Sequence, residues 1–585
     1  MMTRHFTRTA TACLTLALSL IGCGGDAPGT NQHSGRPANV ELASFPTEWT
    51  YRPGAVAPSA EHGMVASNAG PATEAGVEIL TAGGNAIDAA VAVGFALAVA
   101  YPEAGNLGGG GYAVVRLNSG EATALDYRET APASASRDMY IGPDGKLTAD
   151  SIVGHRASGV PGSVAGLLAL LERHGTMTRA QVMAPARRLA RDGVVVDEAM
   201  NGSLAGSAEL IAKFAGASLF LPDGQPLAIG SRLVQPDLAA TLDRIAEFGA
   251  DGFYRGPVAE AVEAEMRRGG GVITAADLAA YEPAWRTAVT SSYRGHGIIA
   301  MPPSSSGGIT LVETFNVLET WNDVAPWGTP ESLHRLAAAF QRAFVDRNAL
   351  LGDPAFITVP TDRLASKDYA RTLREQIADD RATPTPDVQP LREGDQTTNY
   401  AVVDQWGNAV AITTTINGLY GSGVWVPDAG FFMNNEMDDF AAQPGTPNMF
   451  GLVQGEANAI APGKRMLSAM SPTIVLDPNG AVLMVVGGRG GPRIITAVAQ
   501  AILNVVDYRM SLADAVGAPR IHHQALPDML FYEEGGVPAD VVAALEAMGY
   551  ATRPGGSGNL TAIIRTATGW DGIIDPRRQG LAAGH

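Results

Sequence analysis

Cysteine is nearly absent from this chain: its 585 residues include only Cys13 and Cys23, and none follows. That excludes a disulfide framework across the body of the protein and any zinc site built on paired cysteines. Charge is sparse too, at 17% of residues, and tilts acidic to a formal −18. Such a field repels phosphate backbones, and no basic run reverses it, so nucleic acid is excluded as a partner. The one candidate membrane segment, Ala10 to Ile21, is shorter than the ~20 apolar residues that a spanning helix needs. There is no His-Glu-x-x-His pair, and His522 and His523 are adjacent, so no metal site is expected and these histidines read as structural. No repeat is visible at solenoid periods.

What is present describes a folded body, 46% hydrophobic and rich in small residues with 69 glycines. The length implies several domains or one large mixed assembly. Arg4, His5 and Arg8 ahead of the short apolar run read as a secretory signal. Its end, Leu20-Ile21-Gly22-Cys23, resembles a bacterial lipoprotein signal, with a plain signal peptide as the alternative. The expectation is a signal over 1–22, lipidation at Cys23, a Gly/Pro/Ser-rich tether over 23–45, and a periplasmic protein that meets a membrane only through its anchor. Cleavage there removes Cys13, so stability rests on packing.

Downstream, Ala72 to Leu80 and the almost wholly apolar Ala86 to Ala100 predict helices, the second buried on most sides. Gly108 to Gly111 lacks the Lys-Ser/Thr of a P-loop and precedes a strand, so it predicts close backbone packing rather than phosphate binding. Strands follow at 112–117 and 122–127, and Arg128 comes directly after the second. Helices are expected within 162–191 and over 258–268, 310–320 and 330–348, with a capping box at Thr274 and a flexible loop over 302–308. Asp379 to Gln396 has the composition of a connector. Thr397 then opens a patterned hairpin, 399–403 and 409–415. Beyond it lie an acid-and-amide cluster at 434–440, a loop over 443–465, strands at 473–476 and 481–486, and a glycine turn at 487–491 that opens a helix over 494–506.

A threonine at a strand start has an ordinary explanation in β-propensity. Placed with Arg128, the acid cluster and the glycine turn, it describes a site for a zwitterion. A cation meets the carboxylate, acceptors meet the ammonium, and a hydroxyl with an oxyanion hole performs acyl transfer.

The order of Asp126-Tyr127-Arg128-Glu129, Thr397-Thr398-Asn399-Tyr400, Thr413 to Asn417, Asn434 to Phe440, Leu467 to Thr473 and Gly487 to Gly491 resembles the γ-glutamyltransferase family of N-terminal-nucleophile hydrolases. The resemblance implies a four-layer αββα sandwich of the α+β class, made of a large subunit (46–396) and a small one (397–585) cut from one precursor between Gln396 and Thr397. It implies Thr397 as nucleophile, Thr415 as the residue orienting it, and Gly490 and Gly491 as oxyanion donors. Arg128 and Ser468 would hold the substrate α-carboxylate, and Asn417, Glu436 and Asp439 its ammonium. The implied substrates are glutathione and other γ-glutamyl compounds, with water, amino acids or peptides as acceptors and no cofactor.

Two positions depart from the family pattern. Ala469 stands where members commonly carry a second serine, which implies a weaker carboxylate grip. Phe450 stands in the lid-like loop where a tyrosine is common, which favours water as acceptor. The alternatives are a glutaryl-type cephalosporin acylase of the same fold, disfavoured by the retained Arg128, Glu436 and Asp439, and an inactive binding lipoprotein.

Overall fold

The computed structural model describes residues 49, 51–385 and 397–585. The leader, Cys23, the tether and Gln396 lie outside the described residues.

The hairpin predicted after Thr397 forms over Thr398–Val403 and Ala409–Thr415, in antiparallel register from Thr398–Thr414 to Val403–Ala409. Its side chains divide with the period of two that a strand imposes. Tyr400, Val402, Val410 and Ile412 face one apolar core. Ala401, Val403, Ala409 and Ala411 face another. Both faces are covered, so these strands lie inside the molecule.

This hairpin is the middle of a seven-stranded sheet, ordered Leu581–Gly584, Met64–Ser67, Thr398–Val403, Ala409–Thr415, Gly110–Arg116, Ala122–Asp126 and Ala284–Arg286. A second seven-stranded sheet runs Ser59–Ala60, Trp570–Ile574, Asn559–Arg565, Val482–Arg489, Thr473–Leu476, His296–Ala300 and Val289–Tyr293. The two sheets pack face to face. A Cβ on Gly487 would lie 2.0 Å from the Asn399 side-chain amide of the facing sheet, so only glycine permits that approach.

Helices close the outer faces. Gly70–Thr81, Ala86–Ala100, Ser163–His174 and Arg179–Asp192 cover the first sheet. The second of these is fully buried and starts at a capping box between Asn85 and Asp88. Gly307–Leu318, Pro330–Leu350 and Arg493–Val506 cover the second sheet. The result is the αββα sandwich.

Two expectations need correction. The serine-rich 302–308 segment is not a flexible loop, because Ser304, Ser305 and Ser306 are fully buried and the helix starts at Gly307. Their hydroxyls find partners: Ser304 donates to Asp126, Ser305 to the Met470 carbonyl and Ser306 to the Ser468 carbonyl. Gly487 and Gly488 belong to a strand that continues to Arg489, which confines the turn to Gly490-Gly491. The described end of the connector is fastened, with the Ala382 amide donating to the Met548 carbonyl at 2.8 Å and that of Thr385 to Asp528 at 2.6 Å.

Candidate active site

Thr397 comes immediately before the central strand and is 4% exposed. One further step of the hairpin register sets it across from Thr415, the last residue of the partner strand. Thr415 is itself held close to the glycine run, since a Cβ on Gly109 would meet its carbonyl at 2.1 Å. The close packing expected of those glycines is what the structure shows. Beyond the strand, the Asn417 amide donates to the Thr415 hydroxyl at 2.7 Å, and the Asn417 side chain donates to the Asn435 carbonyl at 3.0 Å. Asn417 adopts a left-handed φ of 67°, which asparagine tolerates better than most residues.

Arg128 emerges from the end of the Ala122–Asp126 strand and is 1% exposed. Its Nη1 lies 2.7 Å from Glu436 Oε2 and 3.8 Å from Glu129, and its Nη2 donates to Asp439. Burial works against the guanidinium charge, but Glu436 and Asp439 outweigh it and hold the group protonated. The acids bear the opposite strain. Burial raises Glu436 and Asp439 against the pull of Arg128, and it pushes Glu129 up to about 8. One arginine thus faces three buried carboxyl groups.

The acids are presented by a short turn over Glu436–Asp439. Asn434 fixes its entry, donating to the carbonyls of Gly108 and Gly159, both at 2.8 Å. Asp438 accepts from the Ser151 hydroxyl and the Met449 amide, both at 2.9 Å, and burial pushes its carboxyl up to about 6. The second of those bonds ties the acid turn to the loop carrying Phe450.

That loop closes one side of a cavity with about 330 Å³ of empty volume, lined by Thr397, Thr415, Asn417, Arg128, Asp439, Ser468, Ala469, Phe450, Gly491 and Arg347 among others. Phe450 packs with Ala469, Phe344, Leu452 and Ile495. The two departures from the family pattern therefore meet in one apolar seal. Gly490 and Gly491, with φ of 127° and 56°, form the turn into the Arg493–Val506 helix. A Cβ on Gly491 would lie 2.9 Å from the Phe450 ring.

The structure therefore brings Thr397, Thr415, Asn417, Arg128, Asp439, Ser468 and Gly491 to one cavity, with Glu436 joined through Arg128 and Gly490 beside Gly491. Gln396 lies outside the described residues. His522 and His523 lie apart from this cavity, and His522 hydrogen-bonds Thr496 and Gln524, each at 2.9 Å. Sequence reasoning missed Arg347. The usable signal was its position on the buried stripe of its helix with Phe340 and Phe344, where a cation is out of place.

Two antiparallel sheets between helical layers, with a threonine heading a central strand beside a glycine turn, define the class as N-terminal-nucleophile hydrolases. Residues 72–585 match the family model described as gamma-glutamyltranspeptidase, and the chain belongs to that family. It is 47% identical over 501 residues to the glutathione hydrolase proenzyme of Escherichia coli K12, covering 84% of this chain and 86% of that protein. To the glutathione hydrolase proenzyme of Pseudomonas sp. strain A14 it is 43% identical over 545 residues, 90% of this chain and 95% of that one. The solved cephalosporin acylase from Bacillus halodurans superposes with a TM-score of 0.81 at 27% identity, over 92% of this chain and 99% of that chain.

Proposed function

We propose that this protein is a self-cleaving γ-glutamyltransferase and glutathione hydrolase. The observation that carries the reading is the convergence of Thr397, Thr415, Arg128, Asn417, Asp439, Ser468 and Gly491 on one cavity at the head of a central strand. In maturation the Thr397 hydroxyl attacks the carbonyl of Gln396, the amide becomes an ester, and water hydrolyses the ester. The freed threonine amine then serves as base for its own hydroxyl. In turnover that hydroxyl attacks a γ-glutamyl amide, and the oxyanion is stabilised by the N–H groups of Gly490 and Gly491. The amine product leaves protonated, and water or an acceptor amine takes the γ-glutamyl group from the ester.

Specificity follows from the acids around Arg128. A glutaryl group carries the carboxylate but no ammonium, and would leave Glu436 and Asp439 without the cation they are placed to meet. This favours γ-glutamyl compounds over the acylase reading. The apolar Phe450–Ala469 contact, with no hydroxyl at either position, favours water over an acceptor amine. We further propose export on the N-terminal leader and lipid attachment at Cys23, which labelling with a fatty-acid probe and a Cys23→Ser variant would test.

The decisive experiment combines intact mass, N-terminal sequencing and turnover of γ-glutamyl-p-nitroanilide with and without glycylglycine. Wild type should yield a second chain beginning at Thr397 and release mostly glutamate. Thr397→Ala should remain one chain without activity. A cut elsewhere, or a cleaved and active Thr397→Ala, would overturn the mechanism, and predominant γ-glutamyl dipeptide would overturn the preference for water.

A further inference from the structure

Arg128 alone does not account for the charge of a bound γ-glutamyl group. Its two terminal nitrogens are already engaged, one with Glu436 and the other with Asp439, the same acids that the proposed function reserves for the ammonium. A second guanidinium lines the same cavity. Arg347, on the Pro330–Leu350 helix, is 1% exposed. Its Nε donates to the Ser306 hydroxyl at 3.0 Å and its Nη1 to Asn348 Oδ1 at 2.9 Å. Its Nη2 is buried and has no hydrogen-bond partner among the described residues. Asp439 supports the Arg347 charge only from beyond ion-pair distance, and burial outweighs that support and holds the guanidinium down at about 10. A buried cation with an open donor is unfavourable unless a partner arrives.

The position of Arg347 indicates what that partner is. Ser306, which accepts from Arg347, donates from both its hydroxyl and its amide to the Ser468 carbonyl. Arg347 is thus two hydrogen bonds from the backbone of the serine proposed to hold the α-carboxylate. One turn earlier on the same helix, Phe344 packs with Ala469, the position that lacks a hydroxyl.

We infer that Arg347 is a second binding residue for the α-carboxylate of the substrate, its Nη2 donating beside Ser468 where residue 469 offers no hydroxyl. This rests on the γ-glutamyl reading and extends it. Two guanidiniums and the substrate ammonium then meet the substrate carboxylate and the acids gathered around Arg128.

The test compares γ-glutamyl-p-nitroanilide with 4-aminobutanoyl-p-nitroanilide, which keeps the ammonium and lacks the carboxylate, on mature two-chain protein verified by mass. Arg347→Met should raise KM for the γ-glutamyl substrate about 30-fold, the scale of one hydrogen bond to a charged group, with kcat nearly unchanged. The kcat/KM for the aminobutanoyl substrate should barely move, so that discrimination between the two collapses. Arg347→Lys, which keeps the charge without the planar fork, should fall between. If Arg347→Met fails to mature, Arg347→Lys carries the test through inhibition by L-glutamate against 4-aminobutanoate, only the former weakening. Equal losses on both compounds, or a fall in kcat at constant KM, would overturn the assignment while leaving the parent reading intact. A wild type that cleaves no γ-glutamyl amide would sink both.

Discussion

Near the C-terminus, Arg520, Asp575, Arg577 and Glu533 form a largely buried set in which each charge meets its opposite. Arg520 and Arg577 each reach Asp575 at 2.8 Å, and Arg577 also donates to Glu533 at 2.8 Å. Around the cavity, Arg128 instead faces Glu129, Glu436 and Asp439, and no second cation joins them in an ion pair among the described residues. The consequence is visible in the acids. Burial tends to raise Asp575, but the two arginines overcome it and hold that carboxyl below its usual range, while the acids near Arg128 are raised. Each charge of the C-terminal set has its opposite, whereas the acids beside Arg128 outnumber their cation, an excess that the ammonium of the proposed substrate would meet.

The largest effect that would sharpen this contrast is at Arg128. Arg128→Met should lower kcat/KM for γ-glutamyl-p-nitroanilide by about 10³-fold, since it removes a doubly engaged buried cation. Steady-state kinetics on matured protein would check it, and a loss under tenfold would break the comparison. In the balanced set, Asp575→Asn should cost about 3–5 kcal/mol of stability, because two buried arginines lose their shared partner. Denaturant unfolding would measure that cost, and kcat/KM per folded molecule should not change.

A smaller effect concerns pH. The Glu129 carboxyl ionises from about 4.5 in the unfolded chain but only near 8 when folded, so the folded protein holds the extra proton between those values. Stability therefore falls as pH rises through that window. Glu129→Gln should flatten the decline, and melting curves at both ends of the window would show it. The smallest change is Ala469→Ser. A hydroxyl restored beside Ser468 should lower KM about 3-fold, the size of one net hydrogen bond. An unchanged KM would mean that the apolar seal keeps that hydroxyl away from the carboxylate.

The hairpin after Thr397 was legible in the sequence because its partners are adjacent in the chain and its side chains alternate. The buried Ala86–Ala100 helix was legible because it has no polar face at all. The strands at Val289–Tyr293, His296–Ala300 and Asn559–Arg565 were not read, although the first two pair with each other and the third with the adjacent Trp570–Ile574: the polar run Thr290-Ser291-Ser292 interrupts the alternation of the first, and the other partners, Thr473–Leu476 and Val482–Arg489, lie far away in sequence. Ser304 to Ser306 looked flexible by composition, yet acceptors supplied by Asp126, Ser468 and Met470 fix all three hydroxyls. At the site, Arg128, Glu436 and Asp439 were legible through the family pattern, while no local spacing joins an arginine to acids three hundred residues later. Arg347 was hidden inside an ordinary helical stretch.

The order of strands in the two sheets has a last consequence. In the first sheet Met64–Ser67 lies between Leu581–Gly584 and Thr398–Val403, and in the second Thr473–Leu476 lies beside His296–Ala300. A cut ahead of Thr397 would therefore yield two polypeptides woven through each other rather than docked at a surface. Separating them would require unzipping both sheets, so their association would have no dilution limit short of unfolding. Mature molecules mixed with an isotopically labelled batch should not exchange chains.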